Sequence, residues 1–116
     1  MDVDLFAGVA VSDLPRAVSW FDRFFGEVES FEPNDTERVW TVAEHRHVYV
    51  ELQPEHAGHA QVTLFVDDFD GFVDAVAGRG IHPDTRTTYE NGVRKAEYRD
   101  PDGNEVSVGG APIGAG

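Results

Sequence analysis

The sequence predicts an α+β fold made of two copies of one βαβββ module, and three observations carry that prediction. Seven residue pairs recur 55 positions apart: Val9 with Leu64, Val11 with Val66, Asp13 with Asp68, Leu14 with Phe69, Ala17 with Phe72, Val18 with Val73 and Phe21 with Val76. One such pair is cheap, whereas seven in one register mark a duplication. Each copy opens with a short apolar strand, a capping Asp and a segment with helical apolar spacing. After each helix come three extended segments separated by turn residues.

In the first copy, Leu5-Phe6-Ala7-Gly8-Val9-Ala10-Val11 reads as a strand. Ser12-Asp13 supplies capping side chains. Leu14, Ala17, Val18, Phe21 and Phe25 then fall on one helix face. Pro15 sits in the first turn, where a missing N–H costs nothing, and Gly26 stops the helix. Extended segments are expected over 28–31, 38–43 and 47–53, with Pro33-Asn34-Asp35 turning the first into the second. Residues 54–58 form the linker.

The second copy repeats the order. Gln61-Val62-Thr63-Leu64-Phe65-Val66 is its strand, Asp67-Asp68 its cap, and Gly80 ends its helix. Extended segments are expected over 85–90, 93–99 and 105–109. Asn91-Gly92 is a strong hairpin signal. Asp100-Pro101-Asp102-Gly103-Asn104 is a second turn, where Pro fixes φ and Gly or Asn tolerates positive φ. The whole is one domain over 5–109, with module one at 5–53 and module two at 60–109. Residues 110–116, rich in Gly and Ala, are expected to fray.

Composition narrows the function. Among 116 residues, 22 are acidic and 9 basic, for a net charge of −13. Nucleic-acid affinity comes from Lys and Arg neutralising phosphates, so nucleic acid is excluded as a partner. The chain has no Cys, hence no disulfide, thiolate metal site or Cys nucleophile. No apolar run is long enough to span a bilayer, and the acidic start has no signal-peptide character, so a cytoplasmic protein without membrane contact is expected. Ser12 and Ser107 have no base partner at motif spacing, and no Gly-rich phosphate loop is present.

Alternation assigns faces to the strands. Val48, Val50 and Leu52 point under the helix, while His47, Tyr49 and Glu51 point the other way. Val62, Leu64 and Val66 oppose Gln61, Thr63 and Phe65. Each sheet thus has an aliphatic helix face and a mixed polar–aromatic face. A mixed face suits a small-molecule cleft or an ordinary solvated sheet, and alternation alone does not decide. Phe6, Trp40, Tyr49 and Phe65 are candidate cleft walls. Trp20, Phe21, Phe24 and Phe25 are assigned to the helix core or an interface. Glu51 is either a general base or partner for a cationic group, or a partly solvated carboxylate.

The run Val9-Ala10-Val11-Ser12-Asp13-Leu14-Pro15-Arg16-Ala17, with Trp20-Phe21 and Phe25-Gly26, resembles the opening of the vicinal oxygen chelate superfamily. That superfamily includes glyoxalase I, bleomycin-resistance proteins, fosfomycin-resistance enzymes and extradiol dioxygenases. Phe65-Val66-Asp67-Asp68, Arg79-Gly80 and the run 94–104 resemble its second half, and the last is the most specific of these motifs. The resemblance implies the glyoxalase/bleomycin resistance fold: two βαβββ modules forming an open barrel-like sheet around a central cleft, in a homodimer.

It also implies four metal positions, matched here by Phe6, Glu51, Gln61 and Ser107. Phe6 cannot ligate, Ser107 and Gln61 are poor ligands, and only Glu51 is a good one. A divalent ion needs several hard oxygen or imidazole ligands, so no metal and no other cofactor is expected. His47, Glu51 and His59 do not replace the site, because residues i and i+4 on a strand lie ~13 Å apart. The expected function is metal-independent binding of an organic small molecule, as in bleomycin-resistance proteins. Planar groups would stack on Phe6, Trp40, Tyr49 or Phe65, and Glu51, Gln61, Thr63 and Ser107 would supply polar contacts. The alternative is a metal-dependent lyase, isomerase or dioxygenase of the same superfamily.

Overall fold

A computed structural model describes residues 1–113. The chain runs β1 (Leu5–Val11), α1 (Leu14–Phe25), β2 (Glu29–Asn34), β3 (Glu37–Ala43) and β4 (Arg46–Leu52). A short 3₁₀ turn, Pro54–His56, leads into β5 (Gln61–Val66), α2 (Phe69–Gly78), β6 (Thr85–Thr88), β7 (Arg94–Arg99) and β8 (Glu105–Gly110). Two four-stranded mixed sheets result, ordered β1-β4-β3-β2 and β5-β8-β7-β6. They remain separate and do not close into a barrel.

The duplication is visible in local chemistry. Asp13 caps α1 by accepting from the Arg16 N–H at 3.0 Å, and Asp68 caps α2 by accepting from the Gly71 N–H at 3.0 Å. Register extends the equivalence. Ala7 pairs with Val48 in parallel β1–β4, and Val62 pairs with Val106 in parallel β5–β8. Module-one positions on β4 therefore map to β8 positions 58 residues on.

Two boundaries differ from the sequence expectation. β2 continues through Pro33 to Asn34, and the turn falls at Asp35-Thr36. β2 is an edge strand, so the missing Pro N–H breaks no ladder there. The Asn34 side chain accepts from the Thr36 N–H at 2.9 Å and fixes the turn. At the other end, β8 reaches Gly110 and the Ala111 carbonyl accepts from Arg94 Nη2 at 2.9 Å. Of the segment expected to fray, residues 114–116 lie outside the described residues.

The helix-facing sides of both sheets converge on one core. Val9, Val11, Trp40, Val48 and Val50 meet Phe21, Phe24 and Phe25 from below α1. Val62, Ala96, Tyr98, Val106 and Val108 do the same for Val73 and Val76 of α2. Phe24 joins the halves, with ring centroids 5.6 Å from Phe72 and 5.0 Å from Tyr98. Arg79, just after α2, donates Nη2 to the Phe24 carbonyl at 3.0 Å.

Asn104 is the second joint. It is fully buried in the β7–β8 turn. Its Oδ1 accepts from the Gly58 and Ala60 N–H groups at 3.0 and 2.9 Å, and its Nδ2 donates to the Ala10 carbonyl and Asp100 Oδ2 at 2.9 and 2.8 Å. One amide thus ties together the end of β1, the linker and the turn. Burial raises the Asp100 pKa, against the opposing effect of its hydrogen bonds from Asn104 and Asp102.

Candidate functional site

The convergence of the helix sides leaves each sheet an open face turned away from the core. On the first sheet this face carries Phe6, Gly8 and Ala10 of β1 opposite His47, Tyr49 and Glu51 of β4. Phe6 stacks on His47, with centroids 4.2 Å apart and planes at 17°, and meets Tyr49 edge-on at 6.4 Å. His47 is held from both sides: Nδ1 lies 3.0 Å from Thr41 Oγ1, and Nε2 lies 2.9 Å from Asp4 Oδ2. Asp4 Oδ1 lies 2.7 Å from His45 Nδ1. The contacts from His47 and then His45 hold the Asp4 carboxyl below its ordinary range.

Glu51 stands at the far end of this face, beside the Tyr49 ring. A recess of about 180 Å³ lies there, lined by Gly8, Ala10, Tyr49, Glu51 and Gln53.

The second open face is built differently. Gln61, Thr63 and Phe65 of β5 pair with Glu105, Ser107 and Gly109 of β8. Phe65 is 66% exposed, and its ring lies along Gly109. Ser107 is buried and donates to Glu105 Oε2 at 3.2 Å. Lys95 sits 3.3 Å from Glu97 and 3.9 Å from Glu105, and Arg99 sits 3.5 Å from Glu105. The hydrogen bond with Glu97 raises the Lys95 pKa, and the same bond lowers that of Glu97. One open face is therefore aromatic and the other carries a lattice of ion pairs.

Sequence reasoning did not select His47, Lys95, Glu97 or Glu105 as site residues. The alternation of β7, with Lys95, Glu97 and Arg99 opposite Ala96 and Tyr98, held the signal.

Trp40 is a correction. It does not line either open face: it pairs with Val48 on the helix side, is fully buried, and packs 5.5 Å from Phe21 and 5.8 Å from Phe25. Its Nε1 donates to Asp22 Oδ1 at 2.9 Å. Val39, Trp40 and Val42 put apolar residues on both faces of β3, so alternation could not fix its parity.

Register also decides which residues share a corner. Phe6 pairs with His47, and Gln61 pairs with Glu105. Ser107 lies two residues beyond the partner of Gln61, and the residue in the same relation to Phe6 is Tyr49. Glu51 pairs with Ala10, four residues along from Phe6 or ~13 Å. The two corners hold Phe6 with Tyr49 and Gln61 with Ser107, and Glu51 is in neither. Two rings, an amide and a hydroxyl do not fit a divalent ion of this superfamily, which needs several hard anionic or imidazole ligands. Among the described residues, no three or more His, Cys, Asp or Glu side chains group so as to hold one.

A larger cavity, about 560 Å³, opens between β1 and β5, lined mainly by their helix-side residues and bordered by His47, Thr63 and Phe65 from the open faces. Of the eight residues expected in the cleft, only Thr63 and Phe65 border it.

The comparisons with known proteins agree with this architecture. The family model for the Glyoxalase/Bleomycin resistance protein/Dioxygenase superfamily matches residues 4–108. A glyoxalase/bleomycin resistance protein from Catenulispora acidiphila DSM 44928 is 45% identical, with a TM-score of 0.90 over 96% of this chain and 100% of that one. TnmS3, an antibiotic binding protein from Streptomyces sp. CB03234, is 23% identical, with a TM-score of 0.71 over 96% and 97% of the two chains. A bleomycin resistance determinant encoded on the transposon Tn5 is 14% identical, with a TM-score of 0.77 over 97% and 100%. These last two share the fold. No curated protein matches the chain. With a family model spanning nearly its whole length, the chain belongs to the Glyoxalase/Bleomycin resistance protein/Dioxygenase superfamily.

Proposed function

We propose that this protein binds an organic small molecule on its open sheet faces without a metal ion. The observation that carries the reading is the content of the two corners: Phe6 with Tyr49 and Gln61 with Ser107. Aromatic rings gain by stacking on planar groups, and the exposed Gln61 amide fixes orientation; Ser107, expected to add a polar contact, is fully buried with its hydroxyl on Glu105. Phe6 remains 48% exposed while stacked on His47, and Phe65 is 66% exposed, so both rings leave apolar surface uncovered. Glu51, beside Tyr49, and Thr63, beside Ser107, extend the polar contacts. The net charge of −13 favours a ligand carrying positive charge.

The same geometry supports a homodimer. The helix sides of both sheets meet in one core, so the two open faces of one chain turn away from it. β1 and β5 are sheet edges with unpaired backbone groups, the kind of edge a second copy covers. A second copy would set the aromatic face of one chain against the ion-paired face of the other and complete the cleft. Antibiotic binding by TnmS3 and bleomycin resistance by the Tn5 determinant are in keeping with such a role. A cytoplasmic setting fits the acidic, Lys-poor composition, and no helix among the described residues is long and apolar enough to cross a membrane.

The test is a thermal-shift screen with bleomycin and a set of planar cationic aromatic compounds in buffer containing EDTA. A ligand that binds the native state raises the midpoint. The reading requires at least one such shift, lost in Phe6→Ala. No shift across the set, or a shift indifferent to Phe6→Ala, contradicts it.

A further inference from the structure

The 560 Å³ cavity between β1 and β5 meets the open faces only at His47, Thr63 and Phe65, and its chemistry points to a different ligand. Alternation puts Leu5, Ala7, Val48, Val62, Leu64 and Val66 on the helix side of their strands, and all six line it. Phe25 and Phe72 close it from the two helices. The volume falls in the range of small-molecule sites, about 300–1,000 Å³, and the wall is mostly apolar, with Arg46, His47 and Thr63 as its polar members.

One cation stands at its edge. Arg46, the first residue of β4, shares the face of Val48 and borders the cavity. Most arginines of this acidic chain are engaged: Arg38 with Glu32, Arg94 with Asp70, Arg99 with Glu105 and Arg79 with backbone carbonyls. Among the described residues Arg46 has no such partner, and the neighbouring Glu44 contacts His45 instead. A guanidinium offers paired donors matched to a carboxylate.

We propose that this cavity is a second binding site, for a monocarboxylate with an apolar body, its tail among the aliphatic residues and its carboxylate on Arg46. The site shares Thr63 and Phe65 with the open-face reading but not Phe6, so the two can fail separately. Because the chain carries −13 overall, its long-range field repels anions, so a preference for an anionic amphiphile must arise locally.

The experiment is calorimetric titration of the purified full-length protein with decanoate, and with decyltrimethylammonium as the charge-reversed probe. The proposal expects one decanoate per chain, at least about tenfold tighter than the cation, the difference expected from one charge-assisted pair. Arg46→Gln, at an exposed position, removes that preference and weakens decanoate by about the same factor. Leu64→Trp, which fills the cavity, abolishes binding, and circular dichroism checks that this variant is folded. Equal affinity for the two probes, or an unchanged decanoate constant in Arg46→Gln, overturns the proposal. Loss of decanoate binding in Phe6→Ala rather than Arg46→Gln puts the ligand on the open face and overturns it too. So does binding that appears only on dilution to monomer, which makes a second copy the occupant.

Discussion

The ring of Tyr49 lies directly across Gly8 on the neighbouring strand, so that a β-carbon on Gly8 would come within 2.6 Å of the phenol Cζ and Oη. The two residues are register partners in parallel β1–β4. Phe65 stands in a similar relation to its partner Gly109, where a β-carbon would come within 3.1 Å of the ring. In each module, then, an aromatic side chain lies along a glycine of the adjacent strand. The glycines set how flat the rings lie on the open faces.

Gly8→Ala therefore displaces the Tyr49 ring rather than the backbone, because the crowded atoms are the far end of a side chain. The expected result is a folded protein with a stability change below about 1 kcal/mol, as for a surface substitution. Affinity for any open-face ligand should fall several-fold. Chemical denaturation and ligand titration of the same sample measure both.

Asn104→Ala should be far costlier. It removes an amide that makes four hydrogen bonds while fully buried, and leaves the Gly58 and Ala60 N–H groups and the Ala10 carbonyl without that partner. A loss of about 3 kcal/mol is expected in urea denaturation, the scale of a broken buried polar network. A loss below about 1 kcal/mol would show that the two modules are not joined through this residue.

Acid stability should depend on Asp4. Its native pKa is lowered by His47 and His45, so its contribution is present above the ordinary carboxylate range and is lost as pH falls through the lowered native value. Asp4→Asn should be less stable than the parent at neutral pH, with the gap narrowing in strong acid. Thermal midpoints of both proteins across an acid titration check the sign.

Salt should stabilise the fold. A chain at −13 repels itself, and 1 M KCl shortens the screening length to about 3 Å. The melting midpoint should rise from low salt to 1 M KCl. A fall would mean that the ion pairs of the second open face outweigh the general repulsion.

Much of this architecture was legible in the residues. Val9, Val11 and Asp13 against Leu64, Val66 and Asp68 announced the duplication, because strand and cap chemistry are local. The open-face placement of Phe6, Tyr49, Thr63 and Phe65 followed from period-two alternation. Trp40 did not, since β3 is apolar on both sides and only the pairing with Val48 sets its direction. The resemblance matched Glu51 to a corner, yet corners are made across strands. Register between β1 and β4 is a tertiary property, and it brings Tyr49 beside Phe6. The cavity at Arg46 depends on how two modules pack through their helices, which no local pattern records.

Metal content and ligand affinity measured on one preparation test the central claim most directly. Protein purified without chelator is analysed for Ni, Zn, Mn and Fe, and the tightest open-face ligand is titrated before and after dialysis against EDTA. The account predicts metal far below one ion per chain and an unchanged dissociation constant. One ion per chain, with binding lost on its removal and restored on its return, would contradict it.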